Sequence, residues 1–242
     1  MKSLDILEAL ADNNWISLSE LSRKANLSTS TAYRVLDSLV KRQYVIKDEV
    51  TKHYRIGFKI LKLSMRLMES FDIKYFAHPY LKQLSLESKE TTQLVVLDGD
   101  EAVYLDKVDS PEPVKCISEI GARVPLYSTG SGKAILAFLE PAILNKVIKS
   151  KGFEQYIQNK FTTCEKLKFE LEEIRRTGLI VNNKEAINGV ISVSAPIFYA
   201  DGKVYASICI VGPAYRFTVK KAEALGPIVK ETALAISHKL GY

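Results

Sequence analysis

Residues 17–43, SLSELSRKANLSTSTAYRVLDSLVKRQ, predict two short helices joined by a tight bend. Ser17 and Glu20 have the spacing of a capping box, which indicates where the first helix begins. Asn26 tolerates the left-handed backbone of a sharp helix exit, and Ser28 is expected to cap the second helix. The apolar residues of the second helix recur at the spacing of one buried face. They are Ala32, Val35, Leu36, Leu39 and Val40.

The opposite face of this second helix is polar and basic, with Thr29, Ser30, Tyr33, Arg34, Lys41 and Arg42. The arrangement is typical of a helix-turn-helix, whose second helix enters a DNA major groove. The residues expected to contact DNA lie near the start of the helix and are Ser28, Thr29, Ser30, Thr31, Tyr33 and Arg34. The alternative is a helical hairpin within a bundle, with its lysines on a solvated face.

Two short strands are predicted after the second helix, at 44–47 and 53–56, around a polar turn. A segment of helical periodicity precedes the motif, and Trp15 is expected to close a small core with it. Three helices followed by a hairpin make a winged helix-turn-helix. The basic side chains of the hairpin, expected to reach the DNA phosphates, are Lys47, Lys52, His53 and Arg55.

The positive charge of the chain is concentrated in this region. Residues 23–59 hold nine Lys or Arg against three Asp or Glu, an excess of six that equals the net charge of +6 of the whole chain. A localised basic patch is the electrostatic footprint of nucleic-acid binding. The charge distribution therefore favours the DNA-binding interpretation over the helical hairpin.

The composition is that of a globular protein, with 242 residues, 47% of them hydrophobic and 26% charged. The sequence has no run of about 20 apolar residues and starts with a helical pattern, so neither a membrane span nor a signal peptide is expected. Its three cysteines (Cys116, Cys164 and Cys209) and three histidines show no metal or redox spacing. We therefore expect a cytoplasmic protein with free thiols, no metal site and no cofactor.

A helical apolar segment follows the hairpin, with Ile60, Leu61, Met65, Leu67, Met68 and Phe71 on its apolar surface. Such a helix either connects two domains or forms a dimer contact. A dimer is the stronger expectation, because a small winged domain gains specificity mainly by pairing two half-sites. From Thr91 onward, strand patterns with hairpin turns alternate with helical patterns, which predicts an α+β domain.

The motifs, taken in order, resemble the isocitrate-lyase-regulator (IclR-type) family of bacterial transcription factors over nearly the full length of the chain. Besides the helix-turn-helix, the matching segments are YRIG at 54–57, GARVPLYSTGSGKAILA at 121–137, GVISVSAPIF at 189–198 and IVGP at 210–213. Their order and spacing together are highly specific.

The resemblance implies an α+β protein of three parts. These are a winged helix-turn-helix DNA-binding domain at 1–59, a linker helix at 60–73 and an effector-binding domain of GAF/PAS-like fold at 74–242. It also implies a transcriptional regulator, expected to be a repressor, that binds a palindromic operator in double-stranded DNA. Homodimers or dimers of dimers are expected, with a small metabolite such as an organic acid modulating the operator affinity.

The segment STGSGK at 128–133 is the first part of the expected effector site. A glycine-rich helix start offers backbone N–H groups to a carboxylate or phosphate. It is not a P-loop, because Tyr127 stands at the first glycine position and Ala134 follows Lys133. Simple helix capping is the alternative. The resemblance favours a pocket and maps its positions onto Gly130, Ser131, Asn182, Ser192, Cys209 and Val211.

Four of these positions depart from the family pattern. The family often has an acid at position 182 and cysteine at 192, and well-known members have small hydroxyl residues at 209 and 211. This chain has Asn182, Ser192, Cys209 and Val211 instead. The pocket therefore lacks a negative charge and is expected to accept more negatively charged ligands than relatives that carry the acid.

The main alternative function is an enzyme with an appended DNA-binding domain, in which Cys209 or Ser192 is the nucleophile. Nucleophilic catalysis needs a neighbouring base, and the strand region of the second domain contains no histidine. The sequence also lacks the Gly-x-Ser-x-Gly and His-Glu-x-x-His motifs. We therefore expect no catalytic residues. A third class, an architectural DNA binder without a ligand, would leave a whole sensor domain without a task.

Overall fold

The computed structural model describes residues 2–69, 72–160, 163–183 and 189–242. The chain divides into two compact units, Met1–Phe71 and Asp72–Tyr242. The first unit comprises α1 (Lys2–Ala11), α2 (Leu18–Lys24), α3 (Thr29–Lys41), β1 (Val45–Lys47), β2 (Tyr54–Ile56) and α4 (Lys59–Glu69). The three helices α1–α3 and the antiparallel hairpin β1–β2 confirm the predicted winged helix-turn-helix.

The helix boundaries of this unit follow from their caps. Ser17 and Glu20 form the capping box of α2, and Ser28 Oγ accepts a hydrogen bond from the Thr31 N–H at the start of α3. Asn26, in the bend between these helices, has a φ of 51°, the left-handed conformation that a sharp helix exit requires. The local signals in the sequence therefore gave the correct start of both helices.

The core of the first unit is built from the inner faces of α1–α3 and the hairpin. Its buried residues are Ile6, Leu10, Ile16, Leu21, Ala32, Leu36, Val45 and Tyr54. The prediction that Trp15 closes this core is wrong, because Trp15 is 41% exposed. Ile16 exchanges two backbone hydrogen bonds with Tyr54, of 3.0 and 2.8 Å. This bridge directs Ile16 inward and its neighbour Trp15 outward.

The second unit combines six strands and six helices among the described residues. They are α5 (Asp72–Ser88), β3 (Thr91–Asp98), β4 (Glu101–Val108), β5 (Arg123–Pro125), α6 (Gly130–Leu136), α7 (Pro141–Ile148), α8 (Lys151–Lys160), α9 (Cys164–Thr177), β6 (Ile180–Asn183), β7 (Val190–Phe198), β8 (Val204–Pro213) and α10 (Val219–Lys239). The strands form one antiparallel sheet in the order β5-β4-β3-β8-β7-β6. Helices α5 and α10 pack on one face and α6 on the other, which confirms the predicted α+β class.

Some element boundaries differ from the sequence-based ones. Periodicity predicts a helix over 133–138, whereas helix α6 begins three residues earlier, at Gly130. The earlier start follows from its cap, because Thr129 Oγ1 accepts a 3.0 Å hydrogen bond from the Gly132 N–H. Neither α8 nor the short strand β5 is predicted from the sequence. Residues 60–69 of the predicted linker fall in α4. Phe71 and the side chains of Leu67 and Met68, which were predicted to lie on its apolar surface, are outside the described part of the structure.

Across the described ranges, none of the helices combines the length and the hydropathy that crossing a bilayer needs. The same ranges contain no cluster of three or more His, Cys, Asp or Glu side chains able to hold a metal ion.

Candidate DNA interface and effector cavity

The start of α3 presents its polar side chains to solvent. Five of the six residues predicted to contact DNA there are exposed, namely Ser28, Thr29, Ser30, Tyr33 and Arg34. The sixth, Thr31, is half-buried and accepts a 2.9 Å hydrogen bond from Ser28 Oγ as part of the helix cap. Tyr33 exposes 52% of its surface although it is a large aromatic residue. The helix start is thus a continuous polar surface held in place by its own cap.

The lysines of the hairpin share one counter-ion. Lys47 Nζ and Lys52 Nζ lie 3.4 and 3.1 Å from Glu49 Oε2, and these contacts lower the pKa of the Glu49 carboxyl. The turn that presents them is held by Asp48 Oδ1, which accepts hydrogen bonds from the N–H groups of Val50 and Thr51. Exposed pairs of this kind are weak, so Glu49 holds the two lysines only loosely.

His53 and Arg55 are held by neighbours within the unit. His53 Nδ1 lies 2.9 Å from the Thr51 carbonyl oxygen. Because a carbonyl oxygen only accepts, Nδ1 is the donor in this hydrogen bond, and Nε2 takes no part in it. The Arg55 guanidinium lies 4.9 Å from the centroid of the Trp15 ring and 5.9 Å from that of Phe58. Arg55 Nε is buried without a hydrogen-bond partner among the described residues. Cation–π contacts therefore hold Arg55 against aromatic rings, whereas Lys52 is exposed.

The second unit contains a cavity of about 400 Å³ between the start of α6, strands β6–β8 and the segment 115–118. All six predicted effector-binding residues line it: Gly130, Ser131, Asn182, Ser192, Cys209 and Val211. The structure thus brings together residues that lie up to 81 positions apart in the sequence. Their role in binding remains a prediction.

The register of the sheet explains why the strand residues meet. Asn182, Ser192 and Val211 stand opposite one another in one row across β6, β7 and β8. The next row on the same face contains Ser194 and Cys209, followed by Gln93 of β3. Residues in one row of a sheet project to the same side, and so do residues two apart along a strand. The two rows therefore form the floor of the cavity.

Gly130 allows the start of α6 to lie directly on this floor. A Cβ atom at position 130 would lie 2.9 Å from Ser192 Oγ and 3.1 Å from Ser194 Oγ. On the other side of the contact, Ser207 Oγ donates a 3.0 Å hydrogen bond to the Ser131 carbonyl oxygen. The N–H groups of Gly130 and Ser131 belong to the first turn, where a helix offers no acceptor of its own. Glycine at this position therefore allows close packing, which is a structural role independent of any ligand.

Two floor residues leave buried polar atoms unpaired. Asn182 Oδ1 and Ser194 Oγ are buried and have no hydrogen-bond partner among the described residues. Leaving such an atom unsatisfied costs about 1–3 kcal/mol, and a polar ligand group would recover part of that cost. The floor is therefore suited to a ligand that carries hydrogen-bonding groups.

Several residues that line the cavity lie outside the six predicted positions. Gln93 connects the floor to the segment 115–118, which covers the cavity. Cys209 Sγ donates to Gln93 Oε1 at 3.1 Å, and Gln93 Nε2 donates to Ser118 Oγ at 2.8 Å. Lys115 lines the cavity and lies 3.5 Å from Asp109 Oδ2. The further lining residues outside the predicted set are Tyr104, Cys116, Ile117, Thr129, Val190 and Pro213. The usable signal for Gln93, Tyr104 and Val190 was their position within predicted strands, whereas the segment 115–118 carried no such pattern.

Burial favours the neutral forms of two thiols and one phenol that line the cavity. It raises the pKa of the Cys209 thiol to about 11 and that of the Tyr104 phenol to about 12, and it also raises the pKa of the Cys116 thiol. Among the described lining residues, Lys115 alone carries a charge at neutral pH. The same residues include no histidine or carboxylate that could serve Cys209 or Ser192 as a general base.

Comparison with protein families assigns both units. Residues 1–49 match the model of the IclR helix-turn-helix domain, and residues 65–238 match the model of the bacterial transcriptional regulator IclR C-terminal region. The chain is 30% identical over 242 residues to the HTH-type transcriptional regulator KdgR of Escherichia coli strain K12. That match covers 100% of this chain and 92% of KdgR.

Solved structures agree with the family models. The IclR of Thermotoga maritima is 34% identical, with a TM-score of 0.82 and coverage of 100% of this chain and 98% of that chain. An IclR homologue from Microbacterium hydrocarbonoxydans, solved in complex with 4-hydroxybenzoate, shares the fold with a TM-score of 0.82. It is 23% identical and covers 99% of this chain and 97% of that chain. The chain belongs to the IclR family of bacterial transcriptional regulators.

Proposed function

We propose that this regulator is a repressor whose operator affinity is set by a small anionic metabolite bound in the cavity of the second unit. The observation that carries the proposal is the floor of that cavity, where Asn182 Oδ1 and Ser194 Oγ are buried and unpaired among the described residues. The first unit binds the operator through the exposed start of α3, and the second unit senses the metabolite. An operator-bound repressor excludes other proteins from the DNA it covers.

The chemistry of the cavity wall supports an anionic ligand. Lys115 provides the positive charge of the described lining, and the first-turn N–H groups of Gly130 and Ser131 provide donors. The side chains opposite, Asn182 and Ser192, are neutral, so they do not repel a second polar or weakly acidic end. Organic acids of the size of the 4-hydroxybenzoate bound by the Microbacterium homologue are therefore the first class to test.

We assign the helix-turn-helix to residues 1–59, the connector to 60–73 and the effector domain to 74–242. The unit of function is proposed to be a homodimer, or a dimer of dimers, in the bacterial cytoplasm. Support comes from α4, where Leu61, Leu63 and Met65 are exposed although they are apolar. Two-fold pairing would hold two copies of α3 about 34 Å or a multiple apart, matched to a palindromic or pseudo-palindromic operator.

Calorimetry on the full chain tests the effector site. Keto acids, aromatic acids and sugar acids are titrated into wild type, Ser131→Pro and Asn182→Asp. Ser131→Pro removes one first-turn donor and is expected to lower the affinity for every anionic compound that binds wild type. Asn182→Asp is expected to lower the affinity most for the compounds with the highest negative charge. A hit that binds both variants as tightly as wild type would contradict this site.

We expect the chain to bind its ligand without converting it. Each hit is therefore incubated with the chain and recovered, and we expect it unchanged by mass spectrometry. Conversion to a product would favour an enzyme over a regulator that only binds its ligand.

A further inference from the structure

A second basic surface lies in the first unit, on the side of α3 that faces the beginning of α1. It is a cleft of about 740 Å³. Its lining residues, most of them polar or basic, are Lys2, Ser3, Thr31, Arg34, Val35, Ser38, Leu39, Lys41 and Arg42. Helical periodicity alone places Arg34, Lys41 and Arg42 on one exposed face of α3 and does not bring Lys2 near them.

The spacing of these residues divides the exposed surface of α3 into two stripes. Arg34, Ser38 and Lys41 follow one another at intervals of four and three, so they form a stripe along the cleft side of the helix. Tyr33 and Asp37 are exposed but do not line the cleft. The cleft therefore belongs to one flank of the recognition helix rather than to its tip.

The charges of the cleft are mostly uncompensated. Lys41 Nζ is paired with Asp37 Oδ2 at 2.7 Å, which raises the pKa of Lys41. Lys2, Arg34 and Arg42 form no ion pair with any described residue. Three unpaired cations around one concave surface repel one another, and a bound anion removes that repulsion.

An α-helix with its side chains is about 10–12 Å wide, close to the roughly 12 Å width of the B-DNA major groove. A helix in the groove therefore has one phosphate backbone along each flank. We propose that the cleft on this flank of α3 binds a phosphodiester of the DNA backbone, with Lys2 and Arg42 as its anchors.

This inference rests on the proposed DNA-binding function and deepens it. It makes the beginning of α1 a part of the DNA interface, although α1 is not the recognition helix. It also separates two roles on α3. Arg42, near the helix end, holds the backbone, while Arg34, two turns closer to the helix start, is left to contact a base.

The test measures the salt dependence of DNA binding by fluorescence anisotropy, with the full chain. The probes are a 30-base-pair duplex selected from a random library by wild type and a scrambled duplex of the same length. Each neutralised phosphate contributes about 0.9 to the slope of log K against log salt concentration. We expect Lys2→Gln and Arg42→Gln each to reduce the slope by about that amount and to weaken both duplexes by the same factor.

Matched variants separate charge from structure. Arg42→Lys keeps the positive charge and is expected to retain the wild-type slope. Lys168→Gln removes an exposed lysine of the second unit and is expected to leave the slope unchanged. Thermal unfolding of each variant establishes that the first unit is folded. If Lys2→Gln and Arg42→Gln are folded and keep the wild-type slope, the cleft does not bind the backbone.

A further arm distinguishes DNA phosphate from free phosphate. Inorganic phosphate is titrated against the protein–DNA complex at constant ionic strength, with chloride as the control. We expect phosphate to displace DNA no better than chloride. Selective displacement that disappears in Lys2→Gln would identify a free-phosphate site and overturn the proposal. A wild-type chain that selects no sequence would instead contradict the proposed function, since the cleft variants test only its backbone contacts.

Discussion

The polar face of α3 and the cavity of the second unit use polar groups in opposite ways. On α3 the polar side chains lie in solvent, where salt screens their charges. Each contact that they are proposed to make with DNA contributes separately to the binding free energy. Around the cavity, Asn182 and Ser194 keep polar atoms buried, and Lys115 supplies the charge of the described lining. We call the polar face of α3 and the basic hairpin the DNA face. Single substitutions are expected to reduce DNA affinity in small steps at the DNA face, and to have large effects on stability and ligand affinity at the cavity.

The largest effect is expected from Gly132→Ala, at the packing contact that supports the cavity. A Cβ atom there would lie 2.5 Å from the Leu126 carbonyl oxygen, which is backbone and cannot rotate away. We expect a loss of about 3 kcal/mol in the free energy of unfolding, the upper end of what overpacking costs, measured by urea denaturation. Gly152→Ala is the matched control, because its Cβ would meet the Tyr127 hydroxyl, the far end of a side chain. Equal losses in the two variants would contradict this account of α6.

Next in size is the effect of Lys115→Met on ligand binding. Hydrogen bonds to charged groups contribute about 1.5–3 kcal/mol, so an anionic ligand found by calorimetry should bind at least about tenfold more weakly. Lys107→Met is a matched control, since Lys107 also pairs with Asp109, at 3.0 Å, but does not line the cavity. An equal loss of ligand affinity in Lys115→Met and Lys107→Met would contradict a direct role of Lys115 in the cavity.

Arg34→Ala is expected to relax sequence preference at the DNA face. A bidentate contact between arginine and guanine discriminates by about 1–3 kcal/mol against other bases. Binding to a panel of single-base substitutions in the selected duplex measures the change. Uniform weakening across the panel would assign Arg34 to the phosphate backbone, together with Lys2 and Arg42.

The smallest effect is expected from Lys52→Ala in the hairpin. Because Lys52 is exposed and paired with Glu49, its loss should weaken all sequences alike and lower the salt slope by about one. Glu49→Gln provides the opposite change, since it releases both Lys47 and Lys52 and should tighten binding at low salt. A change of sequence preference in Lys52→Ala would indicate a base contact instead.

The same contrast explains which features the sequence could predict. The exposed face of α3 follows from helical periodicity and from caps within four residues, such as Ser17 with Glu20 and Ser28 with Thr31. The cavity floor follows from strand register, which one sequence does not reveal. Its residues were found through family resemblance, because Asn182 and Val211 are brought together only by the pairing of β6, β7 and β8.

The features that the sequence did not reveal depend on contacts between distant segments. Trp15 and Ile16 are both large and apolar, and only the bridge to Tyr54 decides which of them is buried. Lys115 lies in a segment without a helical or strand pattern, and its place at the cavity depends on the Gln93–Ser118 and Thr91–Cys116 hydrogen bonds. Lys2 looks like any solvent-exposed lysine until α1 is packed beside α3.

The central claim is that an anion in the cavity changes the affinity of the first unit for DNA. A ligand shifts DNA binding only by its differential affinity for the two states of the protein, typically about 1–3 kcal/mol or roughly 5–150-fold. The direct measurement is the dissociation constant for the selected duplex with and without saturating ligand, in wild type and in Lys115→Met. We expect a shift within that range in wild type, displaced to higher ligand concentration in Lys115→Met. A ligand that binds the chain and leaves DNA affinity unchanged would contradict the account.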